Sequence, residues 1–172
     1  MNRFPAVVVW SFFLVAAMLF PACYGDGGGS LVYTYYSSDT PVPIPDEGSN
    51  YSDILVTGAP TYISKVTVTV IIVHTWVTDL DLILWSPEET GIYLTNNDSS
   101  GEDFWYTTFD DDAPVSIMAT SYLDDPRTGY FSPNGALGLL AGEPANGLWT
   151  LTVDDEAAED FGYLLEWSID IQ

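Results

Sequence analysis

The sequence predicts an all-β fold, a β-sandwich or jelly roll, on three observations. Apolar and polar residues alternate with period two through most of the chain beyond the glycine-rich stretch ending at Ser30. Polar turn signals punctuate the chain at short intervals, and no stretch longer than a turn or two has helical periodicity.

Each strand follows from its own pattern. Val66, Val68, Val70 and Ile72 alternate with Lys65, Thr67, Thr69 and Ile71, a β-branched run that packs well only on a pleated surface. Leu80, Leu82 and Leu84 alternate with Asp79, Asp81 and Ile83. Trp149, Leu151 and Val153 alternate with Thr150 and Thr152. Finally, Leu165, Trp167, Ile169 and Ile171 alternate with Leu164, Glu166, Ser168 and Asp170, and the first four are expected to face the core. Turns are expected at Ser86-Pro87, Asn96-Asn97-Asp98, Asp125-Pro126, Ser132-Pro133-Asn134-Gly135 and Asn146-Gly147.

The 172 residues suit one domain and a short leader. A domain of this size buries roughly 70% of the surface its unfolded chain exposes, enough to fold without staples. Cys23 is the single cysteine, so no internal disulfide can form. Only 3 basic residues stand against 25 acidic ones, a net charge of −22. Nucleic acid is excluded as a partner, because phosphates need clustered Lys and Arg, and an anionic membrane surface would repel the domain.

Residues 1–22 read as an export signal, with Arg3 before an apolar run from Ala6 to Phe20. That run is shorter than the about 20 residues a membrane-spanning helix needs. Leu19-Phe20-Pro21-Ala22-Cys23 also resembles a bacterial lipobox, in which Cys23 would be lipidated; the other reading is a cysteine beside an ordinary cleavage site. Gly25 to Ser30 fits a tether, and residues 23–41 are read as a flexible linker to a domain over 42–172. The expected location is secreted or cell-surface, with lipidated Cys23 as the one membrane tether.

The inventory argues against catalysis. The one histidine, His74, lies at a strand end without a nucleophile elbow, and is expected to hydrogen-bond the neighbouring loop. One His and one Cys do not make a zinc site. Paired carboxylates for glycoside hydrolysis would need a cleft, and no cleft-forming insertion is visible.

The acidic clusters carry more signal. Asp98, Glu102, Asp103 and Asp110-Asp111-Asp112 form one group, and Asp154, Asp155, Glu156, Glu159 and Asp160 another. Crowded carboxylates repel one another unless a hard cation compensates, and calcium takes six to eight oxygen ligands from such loops. Neither group has EF-hand spacing. We expect Asp79, Asp98, Asp103, Asp110 and Asp111 to meet at one pole as calcium ligands, with Asp155 and Asp160 as further candidates.

A run of motifs is similar to those of a known family. Ile44-Pro45-Asp46 resembles its opening segment, and His74-Thr75 before Asp79-Leu80-Asp81-Leu82 its paired strands. Trp85-Ser86-Pro87 with Gly91 and Leu94 follows, although Glu88 to Thr90 depart from the usual short turn. Then come Phe109-Asp110-Asp111-Asp112-Ala113, Gly129-Tyr130-Phe131-Ser132-Pro133, and Asn146-Gly147-Leu148-Trp149-Thr150-Leu151 with Val153 and Asp155. Asp160-Phe161-Gly162 and Trp167-Ser168-Ile169 close the series. Together these resemble the P domain of subtilisin-like proprotein convertases, bacterial type. The resemblance implies a galactose-binding-like jelly roll that stabilises or regulates a subtilisin-like serine protease, and bound calcium.

No catalytic domain precedes these motifs within the 172 residues, so the expectation is a stand-alone, non-catalytic, calcium-stabilised exported module. Two alternatives are a protease accessory acting in trans and a carbohydrate-binding jelly-roll module. For the latter, Tyr33, Tyr35, Tyr36, Trp105 and Tyr106 are the residues that would supply a stacking platform, although a packed or edge-strand place is the preferred reading for them.

Overall fold

The structure, a computed structural model, describes residues 30–96, 101, 103–119 and 126–172. Among these, ten strands build two sheets: β1 Tyr33–Tyr36, β2 Val42–Ile44, β3 Gly48–Val56, β4 Val66–His74, β5 Leu80–Trp85, β6 Gly91–Asn96, β7 Phe104–Phe109, β8 Arg127–Phe131, β9 Gly147–Asp155 and β10 Gly162–Ile171. The larger sheet runs β1-β10-β4-β7-β8, with β2 also paired to β10, and the smaller runs β3-β9-β5-β6. Pairing is antiparallel throughout except between β7 and β8. The all-β sandwich expected from the alternation is the fold.

The core is made where the inward positions of the two sheets interdigitate. Val66, Val68, Val70 and Ile72 of β4 face Leu80, Leu82 and Leu84 of β5 and Trp149, Leu151 and Val153 of β9, all buried. Trp149 and Trp167 are the largest fully buried side chains, one from each sheet. A buried indole N–H needs an acceptor, and each finds one. Trp149 Nε1 donates to the Ala145 carbonyl at 2.9 Å. Trp167 Nε1 crosses between the sheets to Ser52 Oγ on β3 at 2.7 Å, and Ser52 in turn donates to Asp39. Phe104 and Phe109 pack edge to face beside them, centroids 6.3 Å apart.

Three expectations change. First, Leu165 is not a core residue. The β10–β4 register slips between Leu164 and Glu166, so an extra residue at Leu165 resets the phase. Leu164 is buried, Leu165 is exposed, and Trp167, Ile169 and Ile171 return inward. Second, Ile71 lies on the outer face but is buried, because β7 carries a matching irregularity opposite it and places Tyr106 at φ 52, a left-handed conformation costly for a side-chain-bearing residue. Third, the linker expected over 23–41 ends earlier, since Tyr33–Tyr36 pair as β1 with the edge of β10.

A prediction follows from the indoles. Trp149→Ala and Trp167→Ala should each cost about 3–5 kcal/mol in denaturant unfolding, against a near-neutral Ser168→Ala on the outer phase of β10. Ser52→Ala should cost about 1–3 kcal/mol, because it leaves the Trp167 N–H buried without an acceptor. A wild-type midpoint in Trp167→Ala would refute the cross-sheet packing.

Candidate functional site

β4 runs the length of the sandwich, and its ends gather two different acidic groups. At its C-terminal end His74 is buried. Its Nδ1 accepts the Trp76 N–H at 3.2 Å, and its Nε2 faces Asp155 Oδ2 at 3.4 Å. Both side chains are fully buried. The His74 backbone N–H donates to Asp103 Oδ1 at 3.0 Å, and Thr75 Oγ1 to Asp160 Oδ1 at 2.5 Å. Gly162 of β10 passes so close to β4 that a Cβ there would lie 2.1 Å from the Val73 carbonyl oxygen and 2.7 Å from the His74 ring. The expectation that His74 ties the strand end to the neighbouring loop therefore holds, with Asp155 as an added partner.

Asp79 closes a 3₁₀ turn, Val77–Asp79, at the same pole. Burial raises its carboxyl pKa above the ordinary value, and the negative charges of Asp160 and Asp155 add to that, with His74 pulling the other way. Thr78 Oγ1 in this turn is buried with no hydrogen-bond partner among the described residues. Asp79, Asp103, Asp155 and Asp160 are thus brought to one pole.

Asp110 and Asp111 are not there, which corrects the expected single cluster. Asp103 precedes β7 and Asp110 follows it, and a six-residue strand at about 3.3 Å per residue separates them by about 20 Å. Asp110 and Asp112 instead hold Lys65 at 2.8 and 2.7 Å. Asp111 Oδ1 and Oδ2 accept the N–H groups of Leu137 and Gly138 at 3.0 and 2.7 Å, tying down the 3₁₀ turn Leu137–Leu140. Leu137 and Leu140 from that turn join the core. These aspartates therefore have structural partners. Asp98 and Cys23 lie outside the described residues.

Calcium is the group the resemblance implies, and the donors at the His74 pole are of the right kind. They are hard oxygens, they include an orphaned buried hydroxyl, and Asp79 feels the repulsion a cation relieves. Among the described residues, no group of three or more His, Cys, Asp or Glu side chains is gathered tightly enough to hold a metal ion.

The five aromatic residues that a stacking platform would need are divided. Tyr35 packs against the core and donates its hydroxyl to the Thr57 carbonyl, and Tyr33 is half-buried. Tyr36 and Tyr106 flank a shallow hollow of about 260 Å³ on the larger sheet. Trp105 meets Tyr106 edge-on at 88°, and perpendicular rings give no continuous stacking face. Trp85 was missed. Its place outside the Leu80-Leu82-Leu84 phase is the signal that puts it on the outer face.

The fold is thus a two-sheet β-sandwich with acids and its single histidine gathered at one strand-end pole. The family model for the proprotein convertase P-domain matches residues 63–171, and the chain belongs to that family. Among solved structures, the fold is similar to that in the crystal structure of Aeromonas sobria serine protease in complex with a chaperone, with 19% identity and a TM-score of 0.51. The match covers 81% of this chain and 26% of that one. The crystal structure of the serine protease of Aeromonas sobria also matches at 20% identity, over 81% of this chain and 26% of that one, with a TM-score of 0.49. The chain thus spans about a quarter of the length of the solved chains it matches.

The Lys65 triad yields a pH prediction. The hydrogen bonds that Lys65 donates to Asp110 and then Asp112 raise the Lys65 pKa. Burial pushes the Asp110 carboxyl up, but the Lys65 hydrogen bond, the Asp112 N–H and the lysine charge outweigh it, and the net shift is downward. The Asp110 contribution is therefore present above its unfolded pKa and lost as pH falls through the folded one. That of Lys65 is present below its unfolded pKa and lost as pH rises through the folded one. Lys65→Met should flatten both limbs of the stability–pH curve; unchanged limbs would refute the pairing.

Proposed function

We propose that this chain is an exported, calcium-stabilised accessory module for a subtilisin-like serine endopeptidase. The observation that carries the reading is the P-domain match over residues 63–171. The similarity in fold to part of the Aeromonas sobria serine protease, which is solved in complex with a chaperone, supports a protein partner. The surface chemistry favours a basic or neutral one, because Lys65 is ion-paired and Arg127 is fully buried. The leader and Cys23 support export and a lipid tether. Labelled palmitate entering the wild type and absent from Cys23→Ser, with residues 1–22 missing from the mature chain, is the expected outcome; an intact Met1 would refute processing.

The accessory role is tested by adding the purified domain to a subtilisin-like catalytic domain from the same secretome. A several-fold longer half-life of peptidase activity on heating supports it, and an unchanged half-life over a full concentration series overturns it.

For the cation, Asp79 and Asp160, beside Asp155, are the residues that would hold it. Bound calcium would neutralise their mutual repulsion and fix the loops around the end of β4. Stabilisation should follow RT ln(1 + [Ca]/Kd), about 2.7 kcal/mol at a hundredfold excess over Kd, in melts at constant ionic strength. Asp79→Asn should abolish the calcium dependence, while Asp111→Asn should keep it. Because the folded state raises the Asp79 pKa, its charge destabilises the calcium-free fold as pH rises through that pKa. Calcium-free Asp79→Asn should accordingly melt higher than wild type at neutral pH. A calcium response identical in Asp79→Asn and wild type would remove the site from this pole.

A further inference from the structure

The outer face of the smaller sheet carries an aromatic group fixed in place without any core to hold it. Trp85, the last residue of β5, pairs with Thr150 of β9 on one side and Gly91 of β6 on the other. Its indole Nε1 donates to Thr152 Oγ1 of β9 at 3.2 Å. Its opposite edge lies over Gly91, where an added Cβ would come 2.7 Å from Cζ3 and 3.0 Å from Cε3 and Cη2. The ring therefore lies flat across three strands, pinned at one edge and seated on a glycine at the other. Trp85 remains 38% exposed. An indole held at two edges and still partly exposed is a stacking surface that loses little further side-chain entropy on binding.

Around it runs an open groove of about 680 Å³. Tyr51 and Leu148 line it, both more than half exposed. Between the apolar groups stand oxygens: Asp53, which accepts from Thr150 Oγ1 at 2.6 Å, and Glu89 at the rim. Glu89 has φ 63, and its turn is held by hydrogen bonds from Ser86 Oγ and Thr90 Oγ1 to Glu143 at 2.6 and 2.7 Å. The rim carboxylate is thus carried on a braced turn.

We propose that this groove binds a neutral oligosaccharide chain, stacked on the Trp85 indole and hydrogen-bonded through its hydroxyls to Asp53 and Glu89. Three features of the groove select that chemistry. No Lys or Arg lines it, so phosphate, sulfate and uronate ligands meet only like charge. Its floor is β3, β9 and β5; β3 is the edge strand of the sheet, but its Tyr51 and Asp53 N–H groups are already taken by the Asn50 and Asp39 side chains, which leaves them closed to an added peptide strand. Thr150, Thr152 and Asp53 interrupt the apolar surface, which suits a ligand with C–H faces and hydroxyl edges better than an apolar helix. The proposal is independent of the protease reading and of the calcium pole.

The test is isothermal titration of the full chain with cellohexaose, xylohexaose, mannohexaose and chitohexaose, and with hexa-arginine as the cationic alternative. Saturable binding of at least one hexaose is expected. It should weaken at least tenfold in Trp85→Ala and in Tyr51→Ala, and be unchanged in Tyr36→Ala on the opposite sheet. Gly91→Ala displaces the ring from its seat and should weaken binding as well, which keeps the proposal falsifiable if Trp85→Ala misfolds. No binding of any hexaose, wild-type affinity in both Trp85→Ala and Gly91→Ala, or binding of hexa-arginine alone would each overturn it.

Discussion

A dry core must satisfy every polar atom it swallows, and here the decisive one is the indole N–H of Trp167. The side chain is large enough to fill the space between the sheets, and its N–H would cost about 1–3 kcal/mol if buried without an acceptor. Ser52 on the facing sheet supplies that acceptor, and Asp39 holds Ser52 while also accepting the Asp53 N–H at 2.9 Å. One hydrogen-bonded chain thereby fixes β10 against β3 and joins the two sheets at a set distance and register. Ser37 receives the Trp167 backbone N–H at 3.2 Å, which brings the segment after β1 to the same point.

With the sheets locked, strand length decides which acids can cooperate. β4 spans nine residues, about 30 Å, so its two ends are chemically separate. At the His74 end, loops converge that carry Asp79, Asp103, Asp155 and Asp160, with a buried His–Asp pair beneath them. At the Lys65 end, the remaining acids have partners of their own: a lysine for Asp110 and Asp112, and two backbone N–H groups for Asp111. Sequence proximity between Asp103 and Asp110 is misleading, because a strand intervenes and points them in opposite directions along the sheet.

That is also where legibility in the sequence ran out. Period two reports which face a side chain takes, so Trp149, Trp167 and the leucines of β5 are assignable to the core from sequence alone. It does not report a bulge. The extra residue at Leu165 leaves the local pattern plausible in either phase, since Leu164 and Leu165 are both apolar. Partner identity is equally silent: nothing around Lys65 announces that acids forty-five and forty-seven residues later would meet it. Trp85 was readable in principle, because its odd position places it with Asp81 and Ile83 on the outer phase, yet the pinning by Thr152 and Gly91 requires three strands to be aligned first.

The charge balance ties these features together. Of the cationic side chains in the described fold, Lys65 is consumed by two aspartates and Arg127 is buried, so the surface is left to carboxylates and aromatic rings. Such a surface repels anions at long range and keeps the domain soluble, but it selects no ligand by itself. Selection has to come from places where carboxylates are held in fixed relation to something else. The fold provides two that are mutually remote in character. One is a pole where acids gather around a buried histidine. The other is a sheet face where sparse acids flank a rigid indole and a cation is not required. The first arises from where strands end and the second from how three aligned strands seat one ring, so the two rest on independent parts of the fold.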